Sequence, residues 1–189
     1  MRTSARPETT TAGYSVIELM FVLGLMAVLA GMATLQISMS RPGLIGDGAM
    51  RVVLGQLNQA RETAITQRRY VRIVFTPANL VQSIREDSTT TTTTLTSVLI
   101  ESGVEFVLVT GLPDTPDAFG NSSAIAFGSV TNVKFTPEGT LVNQDGASTN
   151  GTVFLALPNQ ALSARAVTVL GSTGRVRGYK WDGAKWSQV

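Results

Sequence analysis

The sequence predicts an α+β fold in which one long N-terminal helix precedes a mostly antiparallel sheet. Residues 16–35 are almost entirely apolar, and residues 50–64 repeat apolar side chains every three or four positions. After Tyr70 the apolar pattern changes to short runs separated by turn signals, which is typical of strands. A helix followed by a series of strands predicts that the helix packs on one face of the sheet.

The first apolar segment, residues 16–35, is long enough to cross a bilayer as a helix. A secretory signal peptide is the alternative, but the run is long for one and Met32-Ala33-Thr34 matches a cleavage site only loosely. Glu18 is the single charge in the segment, and a carboxylate in a membrane helix usually has a partner. The other interpretation of Glu18 is a flanking charge at the membrane interface.

A break in the helix is predicted at Pro42, because Gly43, Gly46 and Gly48 follow it closely. An amphipathic helix then covers the rest of residues 41–70, with Asp47 as its N-cap. Its apolar stripe is predicted to pack on the sheet. The stripe consists of Met50, Val53, Leu57, Ala60 and Ala64.

The remaining residues, 71–189, are predicted to form a β-rich domain. The predicted strands are residues 71–76, 98–100, 104–110, 124–127, 133–136, 153–157, 166–170 and 175–179. The low-complexity run at residues 88–94 contains six consecutive threonines and is predicted to be a flexible surface loop. An edge strand and a glycosylated loop are the alternatives.

The composition excludes several classes of chemistry. The chain has no Cys and no His, which removes disulfides, thiol nucleophiles, His-ligated metals and Ser-His-Asp triads. No cofactor fingerprint is present, so neither an enzyme nor a bound cofactor is expected. Asp114 and Asp117 flank Pro116 and are interpreted as a solvated turn.

The late basic segment is the one candidate ligand site. If residues 175–181 form a strand, alternation places Arg175, Arg177, Tyr179 and Trp181 on one face, with Lys180 beside them. Two guanidinium groups next to two rings suit a phosphate backbone and stacked bases. A basic, solvated final hairpin is the alternative.

The N-terminal motif Gly13-Tyr14-Ser15-Val16-Ile17-Glu18, followed by the apolar run, resembles the type III signal of type IV pilins and pseudopilins. The resemblance implies that a prepilin peptidase removes residues 1–13 and that Tyr14 becomes the methylated N-terminus. Residues 14–40 would then form the transmembrane and filament-core helix. Glu18 would pair with the N-terminal amine of a neighbouring subunit.

Later motifs resemble the FimT/GspH minor-pilin domain, notably Leu57-Asn58-Gln59-Ala60-Arg61, Phe135-Thr136-Pro137-Glu138-Gly139 and Gly174-Arg175. The resemblance implies a type IV pilin-like fold and a non-catalytic minor subunit of a type IV pilus or a type II secretion pseudopilus. Its partners would be other pilins or pseudopilins and the bacterial inner membrane, with the globular domain periplasmic or extracellular. Gly174 to Arg177 also resembles the Gly-Arg-x-Arg motif with which FimT-type pilins bind DNA for uptake.

Overall fold

The structure is a computed structural model that describes Gly13, residues 15–128 and residues 132–189. In these residues one helix, α1 (Val16–Gln67), precedes the strands, and a 3₁₀ turn at Ala161–Ser163 interrupts them. The α+β class predicted from the sequence is confirmed. The strands of the described part are β1 (Val71–Thr76), β2 (Leu80–Glu86), β3 (Thr92–Leu99), β4 (Ile125–Ala126), β5 (Asn132–Phe135), β6 (Leu141–Val142), β7 (Gly151–Leu155), β8 (Arg165–Leu170), β9 (Arg175–Trp181) and β10 (Trp186–Gln188).

The chain divides into two compact units, Met1–Ser40 and Arg41–Val189. In the first unit, α1 is long and apolar enough over Val16–Thr34 to cross a membrane, with a mean hydropathy of 2.3. None of that segment is buried within the structure. Its side chains therefore have their apolar surface available for lipid or for another protein.

The predicted interruption of the helix at Pro42 is absent, because α1 continues through this residue. Tertiary contacts within the second unit explain why the backbone stays helical here. Arg165 donates a hydrogen bond from Nη2 to the Gly43 carbonyl oxygen at 2.7 Å. Gly46 lies so close to Ser163 that a Cβ atom would come within 2.3 Å of its carbonyl oxygen. These contacts override the low helix propensity of proline and glycine.

The predicted N-cap role of Asp47 is also wrong, since this residue lies inside α1. Its carboxylate accepts a hydrogen bond from Arg165 Nε at 2.7 Å instead. A cap was predicted because the helix was expected to restart after Pro42.

Within the described residues, two five-stranded antiparallel sheets form the body of the second unit. The first has the order β3-β2-β1-β5-β6, and the second has the order β10-β9-β8-β7-β4. In the first sheet Arg72 of β1 lies opposite Lys134 of β5. In the second sheet β9 pairs with β8 on one side and with β10 on the other.

The core lies between α1 and both sheets. The predicted apolar stripe of α1 is confirmed, since Met50, Val53, Leu57 and Ala64 are each 0% exposed and Ala60 is 1% exposed. The stripe packs against inward-facing side chains of both sheets in one continuous cluster. The sheet residues of this cluster include Ile73, Phe75, Val133, Phe135, Val153, Leu155, Val167 and Val169.

A second cluster covers the opposite face of the second sheet. It contains Phe154, Ala166, Tyr179 and Trp186, and apolar residues of the segment 107–112 pack against it. Because this segment covers the outer face, β7 and β8 are buried on both sides. Apolar residues of these strands therefore point to both faces, as Val153 and Phe154 of β7 do.

Several strand predictions need correction. Residues 104–110 do not form a strand and make an isolated bridge from Glu105 to Ala156. Strands β2, β6 and β10 were not predicted. The threonine run was predicted to be a loop, but Thr92 to Thr94 begin the edge strand β3, which is the alternative interpretation.

Candidate functional site

Strand β9 carries the predicted ligand-binding residues, and its alternation is as the sequence predicts. Val176 packs against the core, and a Cβ atom on Gly178 would meet Leu54 and Met50 of α1 at 3.0 Å. Tyr179 and Trp181 belong to the cluster on the opposite face of the sheet. The residues 175, 177, 179 and 181 therefore point away from α1.

Asp117 organises this outer face. Arg177 Nη1 lies 2.6 Å from Asp117 Oδ1, and the Arg177 and Asp117 side chains are 28% and 13% exposed. Asp117 Oδ2 accepts hydrogen bonds from the Tyr179 hydroxyl at 2.9 Å and from the Thr168 hydroxyl at 2.7 Å. The interpretation of Asp117 as part of a solvated turn is wrong, because its carboxylate is mostly buried and ties the loop that carries it to β8 and β9.

The electrostatics of this group follow from its contacts. Burial alone raises the pKa of the Asp117 carboxyl, but the hydrogen bonds from Thr168 and Tyr179 and the charge of Arg177 outweigh burial. The pKa of Asp117 therefore lies below its usual value. Burial, followed by the hydrogen bond to Asp117, raises the pKa of the Tyr179 hydroxyl. Both shifts favour a carboxylate that accepts bonds from a neutral phenol and a charged guanidinium.

The five predicted ligand-binding residues are therefore not equivalent. Tyr179 is only 2% exposed, so its ring is not available for stacking on a base. Trp181 is half-buried and meets Trp186 edge-on, with ring centroids 5.4 Å apart. Arg177 is already paired, whereas Arg175 and Lys180 are exposed.

The backbone at Gly174, the residue before Arg175, leaves no room for a side chain. Gly174 has a φ of +61°, and a Cβ atom there would lie 1.9 Å from the Gly139 carbonyl oxygen. Arg61 of α1 bridges the two turns, donating from Nε to the Gly139 carbonyl at 3.0 Å and from Nη2 to the Thr173 carbonyl at 3.1 Å. A cleft of about 420 Å³ opens beside Arg61 and Arg175. The motifs around residues 61, 139 and 174 thus form one clamp.

Arg165 holds α1 to the second sheet from a buried position, with its side chain 4% exposed. Besides its bonds to Asp47 and Gly43, its Nη1 donates to the Leu162 carbonyl at 3.1 Å and to the Ala164 carbonyl at 2.8 Å. Each bond uses a charged donor, and such bonds are stronger than neutral ones.

A comparison with protein families decides the assignment of this domain. The profile of the family described as Type II transport protein GspH matches residues 49–174, well over half of the chain. The chain belongs to the GspH family. The match includes the stripe of α1 and the clamp glycines, but it ends at Gly174 and begins after the apolar helix segment.

Solved structures resemble this GspH-family chain as well. Two crystal forms of the type IV minor pilin FimU from Pseudomonas aeruginosa are similar to it, at 16% and 14% identity. The alignments cover 75% and 80% of this chain and 96% of each FimU chain, with a TM-score of 0.49 in both. A search of curated protein sequences finds no match to the chain.

The N-terminal signal of this GspH-family chain is only partly described. Gly13 precedes α1, whereas Tyr14 and residues 1–12 lie outside the described residues. Glu18 lies exposed in the first turn of α1. Its position near the N-terminal end of a helix is electrostatically favourable for a carboxylate. The apolar helix and the family fit a single-pass, membrane-anchored subunit with a globular domain.

Sequence reasoning missed the structural roles of Arg61, Asp117 and Arg165. Arg61 was recognised only as part of a family motif, and its partners are 78 and 112 residues away. Asp117 and Arg177 are 60 residues apart. An arginine within an apolar strand, as in Arg165-Ala166-Val167, was the one local signal of a buried ion pair.

Proposed function

We propose that this GspH-family protein is a non-catalytic minor subunit of a type IV filament, either a pilus or a type II secretion pseudopilus. The observation that supports the proposal is the apolar segment Val16–Thr34, of which no part is buried, joined to a domain of the GspH family. An apolar helix of this length requires a bilayer or other helices around it. Both environments are available to a subunit that leaves the membrane to enter a filament.

Processing at Gly13 is the first part of this proposal. A prepilin peptidase cuts between Gly13 and Tyr14, and Tyr14 is then methylated at its amine. Intact-mass measurement of protein extracted from membranes should give a chain that begins at methylated Tyr14. The variant Gly13→Ala should keep the leader. A wild-type chain that retains residues 1–13 in cells with an active prepilin peptidase contradicts the proposal.

Glu18 is proposed to guide assembly by pairing with the N-terminal amine of a neighbouring subunit. A carboxylate inside a membrane is costly unless it has such a partner. The variant Glu18→Ala should insert into the membrane normally but enter filaments poorly. Glu62 offers a control, because it is exposed on α1 within the globular unit, and Glu62→Ala should assemble normally.

The two filament machines are distinguished by a deletion strain. Loss of secreted enzymes with normal twitching assigns the subunit to a secretion pseudopilus. Loss of twitching or of transformation with normal secretion assigns it to a pilus. A strain that keeps all three functions contradicts the proposed role in either machine.

DNA binding for uptake is the second candidate function, and the exposure of Arg175 on the outer face of β9 favours it. Each phosphate contact contributes about 0.9 to the slope of log affinity against log salt on duplex DNA. Exchange of Arg175 for glutamine should therefore lower that slope by up to about one. Lys180 is also exposed, but alternation places it on the other face of β9, so Lys180→Gln should leave the slope of this site unchanged. Arg51→Gln, at an exposed position of α1, is a second control. Equal slopes in wild type and Arg175→Gln remove the outer face of β9 as a DNA site.

A further inference from the structure

A second basic cluster lies on the first sheet, far in sequence from β9. Arg72 of β1 and Lys134 of β5 are direct cross-strand neighbours, and both approach Glu86 of β2. Lys134 Nζ lies 3.4 Å from Glu86 Oε2, and Arg72 Nε lies 3.9 Å from Glu86 Oε1. Lys134 Nζ also lies 4.7 Å from the centroid of the Tyr70 ring. The side chains of Arg72, Lys134 and Glu86 are 34%, 22% and 25% exposed.

The charges and hydrogen bonds of this cluster do not balance. Two cations share one carboxylate, which leaves the cluster with a net charge of +1. The Nε atom of Arg72 is buried, yet it has no hydrogen-bond partner among the described residues. A buried donor without an acceptor is costly, and a donor on a charged group costs more. The cluster therefore has one unpaired donor and one uncompensated positive charge.

A cleft of about 210 Å³ lies against these side chains. Besides Arg72, Lys134 and Glu86, it is lined by Asn132 and Gln144, whose side-chain amides can donate hydrogen bonds. Guanidinium, ammonium and amide groups around one cleft provide the donors that an oxyanion requires.

We propose that this cleft binds one carboxylate group, which in a filament is supplied by an acidic side chain of a neighbouring subunit. The identity of the supplier rests on the proposed function, whereas the carboxylate site does not. A single negative charge neutralises the cluster. A phosphate dianion would overcompensate the charge of +1 and repel Glu86. Lys134 donates one hydrogen bond to Glu86 at 3.4 Å and has two further donors on its ammonium group, so the two oxygens of a carboxylate can accept from Lys134 and Arg72 together.

The test uses the full-length protein in zwitterionic detergent and acetate as the probe. Sodium acetate is titrated against sodium chloride at equal ionic strength, and the side-chain amide signals of Asn132 and Gln144 are followed by NMR. The signals should shift and saturate with acetate only. Arg72→Lys, which keeps the charge but lacks Nε, and Lys134→Gln should each bind acetate about two- to fivefold more weakly. Arg175→Gln, outside the cluster, should bind it as the wild type does.

Three results overturn the carboxylate site. Equal shifts with acetate and chloride show that ionic strength, and not a bound carboxylate, moves the amide signals. Equal acetate affinity in the wild type and in both cluster variants shows that Arg72 and Lys134 do not form it. Tighter binding of dimethyl phosphate than of acetate assigns the cleft to phosphodiesters instead. Because no other filament subunit is present in the titration, a negative result does not contradict the proposed function. A defect in processing, in turn, does not contradict acetate binding.

Discussion

Replacing Arg177 with glutamine should destabilise the globular unit, whereas the same change at Arg175 should not. The two residues lie on the same face of β9, two positions apart, and differ in their partners. Arg177 lies 2.6 Å from Asp117, while Arg175 is exposed. Both substitutions remove one positive charge, so Arg175→Gln controls for the change in net charge.

The expected size of the effect follows from the burial of the pair. The Arg177 and Asp117 side chains are 28% and 13% exposed, between a surface pair and a fully buried one. Exposed pairs contribute up to about 1 kcal/mol, and breaking a buried pair costs about 3–5 kcal/mol. Because Asp117 keeps its bonds from Thr168 and Tyr179, we expect the free energy of unfolding to fall by an amount closer to the value for an exposed pair, about 1–2 kcal/mol. For a domain of this size that corresponds to about 2–8 °C in Tm.

Tryptophan fluorescence measures this effect directly, because both tryptophans of the chain pack in the outer cluster beside the network. Thermal unfolding of the full-length protein in detergent should give a lower midpoint for Arg177→Gln than for Arg175→Gln. Equal midpoints for the two variants refute the assignment of Arg177 as a structural residue. A DNA-binding defect in Arg177→Gln is interpretable only after this comparison.

The same pair predicts a pH dependence. The pKa of Asp117 is lowered in the folded protein, so the folded state favours the carboxylate. Its contribution to stability is complete above the usual aspartate pKa of about 3.9 and is lost as pH falls through the lowered value. The gap in midpoint between wild type and Arg177→Gln should therefore be constant near neutral pH and shrink below about pH 4. A gap that grows on acidification contradicts this sign.

Three further predictions concern how the turns and α1 are held. Arg165→Ala removes a buried guanidinium with four hydrogen bonds and should lower the free energy of unfolding in urea by about 3 kcal/mol. A loss under about 1 kcal/mol contradicts this role. Gly174→Ala should lower stability by at least about 2 kcal/mol, because it combines a left-handed φ with a clash on the Gly139 carbonyl. Gly55 has open space around it, so Gly55→Ala should instead stabilise α1 by about 0.5–1 kcal/mol. A fragment of residues 41–189 should unfold at a higher temperature than one of residues 47–189, which lacks the Gly43 carbonyl; equal midpoints contradict that contact.

The helix and its packing face could be predicted because periodicity records burial directly. The five stripe residues predicted from their spacing are all buried in the structure. The break at Pro42 could not be judged from sequence, since the helical state there depends on Arg165, 123 positions further along the chain. Local propensity predicted a break, and a tertiary contact prevails over it.

The strands were predicted less evenly, for two physical reasons. Strand β2 was missed because Gln82, Ser83, Arg85 and Glu86 hide its alternation, although Val81 and Ser83 are buried. Residues 104–110 were predicted as a strand because they are apolar, but Val104 and Phe106 fill the main core and residues 107–109 cover the outer face of the second sheet. An apolar run reports burial, and it does not report which backbone partners it has.

The candidate site was predicted as a set of aligned side chains, and its pairing could not be predicted. Alternation along β9 is local and follows from the sequence. Whether Arg177 is free depends on Asp117, which the fold brings to it across 60 positions. Cleavage between Gly13 and Tyr14 stays a prediction from the sequence, because Tyr14 lies outside the described residues.

Incorporation of this protein into a filament tests the central claim most directly. The residue Leu25 is exposed within the apolar segment of α1, so a photo-crosslinking amino acid at this position reports its neighbours. Irradiated cells should yield an adduct between this chain and another pilin or pseudopilin, and the variant Glu18→Ala should reduce it while remaining in the membrane fraction. If the wild-type chain is abundant in the membrane but gives no adduct with any filament subunit, its assignment as a filament component is wrong.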